Sequence, residues 1–355
     1  MNCRTRCAAA AALLVLARAP LAPAQQPSPG TAVTLRGVVL GAETGGPLGL
    51  SIVRLIPVFG QRFTDQRGRF AFTSVAPGLY LLSVRQIGYS PLDTQIVVRG
   101  DAPPPIVTVV LRRLAVELPA ITVTGRPVCT HPGPPDRAVT PALAAVFDQL
   151  LENARRLELL ADSYPFRFRL ERTFRAADKR GDSLVAEVDT LELESNETRR
   201  PYRPGLIVAP GSGPFRNRRV VSLPSLHEFG DSAFLRHHCF RLAGRDTIDG
   251  ETLVRIDFEP AERLGSPDVA GSAYLDSITY QLRFTETSLT KPQRAQIQGI
   301  RSLVARIRFR DVVPGIVLHH HVRAVTTYRS GGQRSRVETQ RLLAVHFSRT
   351  LPLAP

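Results

Sequence analysis

The sequence predicts a mainly β protein in two parts: an antiparallel β-sandwich, then one amphipathic helix with a curved antiparallel sheet or open barrel. Three observations carry this. Residues 33–113 are short runs rich in Val, Ile, Leu, Phe and Tyr, separated by Gly, Pro and Asp turns, with no helical period. A Pro-rich stretch at 126–141 interrupts that pattern. After a single helical segment, apolar residues return to every second position from Tyr164 onward.

Composition sets the frame. The chain has 355 residues, more than one average domain of about 100–150 residues. With 43% hydrophobic and 22% charged residues it can build buried cores, which excludes wholesale disorder. Net charge is +15, and Lys179 and Lys291 are the only lysines. Arginine on solvated faces is the plain reading of that charge; a basic patch for anionic lipid or glycan is the functional one.

Residues 1–24 read as a secretory signal peptide. Arg4 and Arg6 supply the positive region, residues 8–17 the apolar core, and Ala22-Pro23-Ala24 the small residues for cleavage. The apolar core is well short of the roughly 20 residues of a spanning helix. Cleavage removes Arg4, Arg6 and Arg18 and leaves a charge of +12. The protein is therefore expected in the periplasm, at the outer membrane or outside the cell. Cys129 and Cys239 then remain, and two thiols in an oxidising compartment can pair; two separate thiols are the alternative.

The sandwich is expected over 31–114, in the strands VTLRGVVL, LSIVRLIPV, GRFAFTSV, LYLLSVRQI, TQIVV and IVTVVL. A connecting strand and a Pro-rich linker occupy 115–141. Thr140 then reads as an N-cap with Pro141 at the first helical position. Leu143, Phe147, Leu150, Ala154, Leu157 and Ala161 form the apolar stripe of the helix that opens the second domain, 142–350. In PFRFRLERTFR the apolar residues alternate with charged ones. Further strands are expected at 183–193, 219–223, 233–242, 251–259, 271–285, 302–310, 316–328 and 336–347, with a long loop at 201–219. One apolar and one Arg-rich face predict a sheet able to wrap a helix or an apolar ligand.

The series Gly37, Gly46-Pro47-Leu48, Thr64-Asp65, Gly68, Phe70, Phe72, Pro77-Gly78, Tyr80 and Gly88-Tyr89 resembles the carboxypeptidase regulatory-like domain, a transthyretin-like β-sandwich. Each residue also has a local role. Residues 65–68 suit a hairpin turn with Gly68 at positive φ, Phe70 and Phe72 alternate onto a core face, and Tyr80 buries its ring with its hydroxyl left to water. The resemblance implies a docking or ligand-contact module, sometimes grouped with carbohydrate-binding sandwiches, and no peptidase activity. The sequence has no His-x-x-Glu pair with a distant His and no His-Glu-x-x-His. LPAITVTGR (118–126) resembles the segment joining such a domain to the plug of TonB-dependent outer-membrane transporters, but too few residues follow for a plug and a large barrel. DTIDGETLVRIDFEP followed by GSAYLDSITYQLRFTET resembles the hairpin region of lipoprotein-sorting and lipid-carrier β-folds, through Gly271, Asp276 and Tyr280. That likeness implies a curved sheet that covers a helix and shelters acyl chains.

Few constellations carry chemistry. His237 with Cys239, and His319 with His321, stand two apart on predicted strands, so each pair shares a face and the four could ligate a metal if those faces met. Strand histidines among Arg and Val are more often packing or solvent-facing residues, and no metal site is expected. There is no Gly-x-Ser-x-Gly elbow and no phosphate-cradling glycine loop. Asp257, Glu259, Asp249 and Glu251 read as rim and turn carboxylates paired with arginine. Arg306, Arg308 and Arg310 share a strand face and, with Arg167 and Arg169, could form a basic surface. No aromatic residues are interleaved with it, so no nucleic-acid platform is expected, and anionic glycolipid or polysaccharide is the fitter contact.

The sequence thus predicts an exported, non-catalytic cell-envelope protein without a cofactor. It would bind or dock a glycan, a lipid or an envelope protein, with peripheral contact to the outer membrane. Two alternatives stay open: an accessory component of TonB-dependent outer-membrane uptake, and a metal-dependent hydrolase using the C-terminal histidines. An apolar cavity under the C-terminal sheet would favour a lipid ligand.

Overall fold

Seven strands build the N-terminal part: β1 (Val33–Gly41), β2 (Ile52–Ile56), β3 (Phe59–Phe63), β4 (Arg69–Val75), β5 (Gly78–Arg85), β6 (Leu92–Val98) and β7 (Val107–Leu111). The structure, a computed structural model, describes residues 32–57, 59–100, 106–117, 128–178, 183–196, 201–210, 219–329 and 333–349. The signal-peptide segment and the ITVTG segment lie outside the described residues. Two sheets form, in the orders β4-β1-β7 and β3-β2-β5-β6. Alternation turns Phe70 and Phe72 of β4 and Tyr80, Leu82 and Val84 of β5 into one core with Val39, Val53 and Val109.

Three details differ from expectation. β7 runs parallel to β1, whereas an antiparallel sandwich was expected; β7 follows a strand of the opposite sheet, and a crossover, unlike a hairpin, permits a parallel partner. β3 was not expected, because it is a polar edge strand broken in sequence by Pro57 and Gly60. The Tyr80 hydroxyl is not left to water but donates to the Ala76 carbonyl at 2.8 Å, across the Pro77-Gly78 turn. The 65–68 turn is closed by Asp65 Oδ1, which accepts from the amides of Arg67 and Arg69 at 2.9 and 2.8 Å.

The C-terminal part opens with α1 (Pro141–Ser163). Thr140 precedes it without a side-chain cap; its hydroxyl donates back to the Asp136 carbonyl at 3.0 Å. β8 (Phe166–Asp178) and β9 (Ser183–Glu194) follow. A short pair, β10 (Val208–Pro210) and β11 (Arg219–Val221), occupies part of the expected loop. Then come α2 (Ser232–His237), β12 (His238–Ile248), β13 (Glu251–Pro260), β14 (Val269–Asp276), β15 (Leu282–Leu289), β16 (Ile300–Val313), β17 (Ile316–Tyr328) and β18 (Gln333–Phe347). Nine of these strands form one antiparallel sheet, β12-β13-β14-β15-β16-β17-β18-β8-β9, which is not closed into a barrel. A flat sheet of this width would span about 40 Å at ~4.8 Å per strand. Yet Phe240 of β12 packs against Phe147 of α1 with ring centres 4.6 Å apart, and Phe168 of β8, seven strands away in the order, shares that helix's core. The sheet therefore curls around α1. No helix among the described residues is long and apolar enough to cross a membrane.

Two expected strands are corrected. Residues 233–242 divide into α2 and β12, because Asp231 Oδ1 accepts from the Ala233 amide at 2.7 Å and starts a helical turn. Residues 271–285 divide into β14 and β15. There Asp276 Oδ1 accepts from the amides of Ile278 and Thr279, and Tyr280 takes φ +55°, which turns the chain back.

The apolar stripe of α1 faces the sheet as expected, but its polar stripe is buried as well. Gln149 Oε1 accepts from the Gly88 amide at 2.7 Å. Asn153 bridges the β14–β15 turn, donating to the Tyr280 carbonyl and accepting from the Leu282 amide, both at 3.0 Å. Arg156, 1% exposed, reaches both Gln86 and Gly315. Leu50 and Ile87 of the sandwich join the α1 core. The sandwich is thus fastened to the helix by a row of buried polar groups with partners, as buried polar groups require.

Candidate functional site

The curved sheet carries a half-open cavity of about 380 Å³, within the ~300–1,000 Å³ of small-molecule sites. Strand register lays out its floor. β16 contributes Ile300, Leu303, Ile307 and Phe309, and the neighbouring β17 contributes His319, Val322, Ala324, Thr326 and Tyr328. β18 contributes Arg336, Glu338 and Gln340, and β8 contributes Arg172 and Phe174. The facing wall is Val221, which ends β11, with Leu223, Ser225 and Ile297. Polarity therefore changes across the strands. The β16 side is aliphatic and aromatic; the β18–β8 side carries two arginines, a carboxylate and an amide.

The electrostatics of the two sides differ accordingly. His319 lies deep in the fold, its ring edge-on to Phe168 at 5.7 Å, with part of its surface open to the cavity. Burial pulls its pKa down to about 4, aided by His227 and His320, so the apolar side holds no charge at neutral pH. On the other side Arg172 is locked to Asp189, through Nε–Oδ1 at 2.9 Å and Nη2–Oδ2 at 2.5 Å. Those hydrogen bonds raise the Arg172 pKa and lower that of Asp189. Phe174 lies between Arg172 and Arg336, whose guanidinium carbons stand 5.0 and 4.2 Å from its ring centre.

The candidate metal ligands are not brought together. Cys239 is joined to Cys129 in a disulfide with Cα atoms 5.5 Å apart. That bond staples the Pro-rich linker to β12, and the Glu262 amide, just after β13, donates to the Cys129 carbonyl at 2.9 Å. His237 ends α2, with Nδ1 2.7 Å from the Ala233 carbonyl oxygen, and does not share a strand face with Cys239. His319 and His321 do not share a face either. The β16–β17 register slips at His320, which sets His319 opposite the buried Phe309 and His321 opposite Arg308 on the other face. Among the described residues no three His, Cys, Asp or Glu side chains cluster as a metal site.

The arginine face is also changed from expectation. Arg306 donates through Nε to Glu286 at 2.8 Å, Arg308 pairs with Asp249 at 2.7 Å, and Arg167 pairs with Glu194 at 3.1 Å. Aromatic residues do lie among them, since Tyr274 and Phe284 stack at 4.2 Å beneath Arg255, Arg306 and Arg308. Both rings are buried, so they pack the outer face and present no stacking platform. Asp257 accepts from Arg241, Arg255 and Ser272 and is a satisfied structural carboxylate.

Sequence reasoning missed one buried cluster. Tyr202 Oη donates to Asp268 Oδ2 at 2.5 Å, and Asp268 Oδ1 stands 3.6 Å from His238 Nε2. Its members lie far apart in sequence, so no motif marks it. Both ring nitrogens of His238 face backbone carbonyl oxygens, of Phe234 at 2.9 Å and Val269 at 3.1 Å. Burial lowers the His238 pKa against the pull of Asp268 and raises that of Tyr202. Through these contacts the cluster ties α2 to β14.

No family model and no curated protein matches the chain. Solved structures that resemble it include a domain described as belonging to an outer membrane lipoprotein-sorting protein of Vibrio parahaemolyticus (12% identity, TM-score 0.30). A DUF1329 family protein of Desulfovibrio piger (10%, 0.31) and a LolA superfamily protein of Nitrosomonas europaea (11%, 0.28) also resemble it. Each comparison covers 58% of this chain and 94% of the other. The names match the lipoprotein-sorting resemblance of the second domain, and none supports the carboxypeptidase regulatory-like resemblance of the first. Likenesses this slight say nothing of function.

Proposed function

We propose that the chain is an exported, non-catalytic cell-envelope protein whose curved C-terminal sheet binds an apolar ligand of the lipid class. The single observation that carries this is the 380 Å³ cavity between the sheet and residues 221–225. Its aliphatic side is lined by Ile300, Leu303 and Ile307, which are buried core residues and present an apolar surface to a ligand. A glycan is the poorer fit, because it would strand its hydroxyls against those side chains. The sandwich, fastened through Gln86 and Gly88, holds one side of α1 and leaves its own outer face for docking.

Each methylene buried contributes about 0.8 kcal/mol. Eight methylenes, roughly 6 kcal/mol, cover only the lower part of the ~4–15 kcal/mol range for lost translational and rotational freedom. A chain alone is thus a weak ligand, and polar contacts at the cavity's other side matter. The test is displacement of a fluorescent fatty-acid probe from the whole chain, with Leu303→Trp as the cavity-filling control. Binding by the parent and a loss of tenfold or more in L303W are expected; absence of probe binding overturns the reading.

A further inference from the structure

We infer that the ligand of this cavity is an amphiphile with an anionic head, and that Arg336 binds that head. The inference rests on the reading of the cavity as an apolar-ligand site and adds the chemistry of the ligand's other end. The floor itself is amphiphilic: across β16, β17 and β18 one row reads Leu303, Thr326, Arg336, from aliphatic to cationic in adjacent strands. An acyl chain laid over β16 and β17 brings its head to β18.

Of the two arginines there, only Arg336 is available. Arg172 is committed to Asp189 by two parallel hydrogen bonds. Among the described residues Arg336 makes no ion pair, and its guanidinium carbon stands 4.2 Å over the Phe174 ring. That stacking fixes the guanidinium plane while leaving its N–H edge for a carboxylate or phosphate, the oxyanions it can grip with two donors.

Among the described residues Glu338 is the one carboxylate lining the cavity, and Gln340 Nε2 donates to its Oε1 at 2.8 Å. It stands opposite Phe174, between the two arginines in register. It would repel an anion and attract the ammonium of a zwitterionic head, so its replacement separates those ligands.

The experiment titrates decanoate, decyl phosphate and decanol, all below their aggregation limits, against the whole chain, Arg336→Gln and Glu338→Gln, reading displacement of the same probe. Both anions are expected to bind the parent more tightly than decanol. R336Q should weaken both about tenfold and leave decanol unchanged, and E338Q should tighten both. A stronger preference for decyl phosphate assigns a phospholipid-type head, and a stronger preference for decanoate a free fatty acid. Equal affinities for the anions and decanol, or an equal loss of all three in R336Q, overturn the headgroup inference and leave the cavity reading intact. Failure of all three to bind the parent overturns both.

Discussion

Arg156 of α1 and Gln86 of the sandwich meet across the boundary between the two halves of the chain, with Nη1 donating to Oε1 at 2.9 Å. The same guanidinium donates through Nε to the Gly315 carbonyl at 3.0 Å, so one side chain ties the helix to the sandwich and to the β16–β17 turn. Burial lowers the Arg156 pKa to about 10, against the pull of Glu152 and Asp311, and the group stays charged at neutral pH. Glu152 is buried too, and burial raises its pKa.

Removing either partner should therefore be costly, and unequally so. Gln86→Ala deletes one hydrogen bond to a charged donor, about 1.5–3 kcal/mol. Arg156→Met leaves Gln86, the Gly315 carbonyl and Glu152 without their cation, about 3–5 kcal/mol by analogy with broken buried pairs. Urea unfolding midpoints check this: R156M should unfold well before Q86A, and a midpoint for R156M equal to the parent's would refute the role.

Gly271 is expected to admit no side chain. On β14 it lies opposite Thr287 of β15, and a Cβ there would collide with the Glu286 carbonyl and press within 2.9 Å of the Phe258 ring. The obstacle is backbone, so relief requires prising β14 from β15. Gly271→Ala should destabilise by about 3 kcal/mol or more, in the range of overpacked cores. An unchanged thermal midpoint would contradict this.

That glycine shows what the sequence disclosed. Gly271, Asp276 and Tyr280 were legible landmarks, and each has a local job: a close approach, a turn cap and a positive-φ position. Strands with clean alternation between Gly and Pro turns were legible for the same reason. The polar stripe of α1 was not, because Gln149, Asn153 and Arg156 read the same whether they meet water or partners 61, 127 and 159 residues away. The slip at His320 was hidden as well, since three consecutive histidines give no sign of which one leaves the pleat. The cavity drew on four strands, and alternation only says which residues face inward. The start of α2 was readable, since Asp231 is an N-cap residue type followed by Phe234 and Leu235, which are buried.

The Cys129–Cys239 bridge closes a loop with a sequence separation of 110 residues. On the loop-entropy model such a crosslink contributes about 4–5 kcal/mol by restricting the unfolded chain. It also holds residues 128–133 against β12, where the Gly133 amide donates to the His238 carbonyl at 2.9 Å. Reduction, or the C129S/C239S pair, should lower the thermal midpoint by several degrees and speed hydrogen exchange at the Gly133 and Glu262 amides. A midpoint insensitive to reductant, in a protein whose thiols become titratable, would refute the contribution.

Acid should loosen the fold through His319. Its folded pKa is about 4, whereas an unfolded histidine titrates near 6.5. Between those values the unfolded chain takes up a proton that the folded one refuses, so stability falls as pH drops from about 6.5 towards 4 and is level above. The full shift corresponds to roughly 3 kcal/mol, and about 2 is the fairer figure because part of the ring faces the cavity. His238, His320 and His321 are depressed in the same direction, each first by burial, so they share the slope. His319→Gln should narrow the difference between urea midpoints at pH 7.5 and pH 5.0 without closing it. A difference equal to the parent's would mean that the ring is not held neutral where the fold places it, on the apolar side of the cavity.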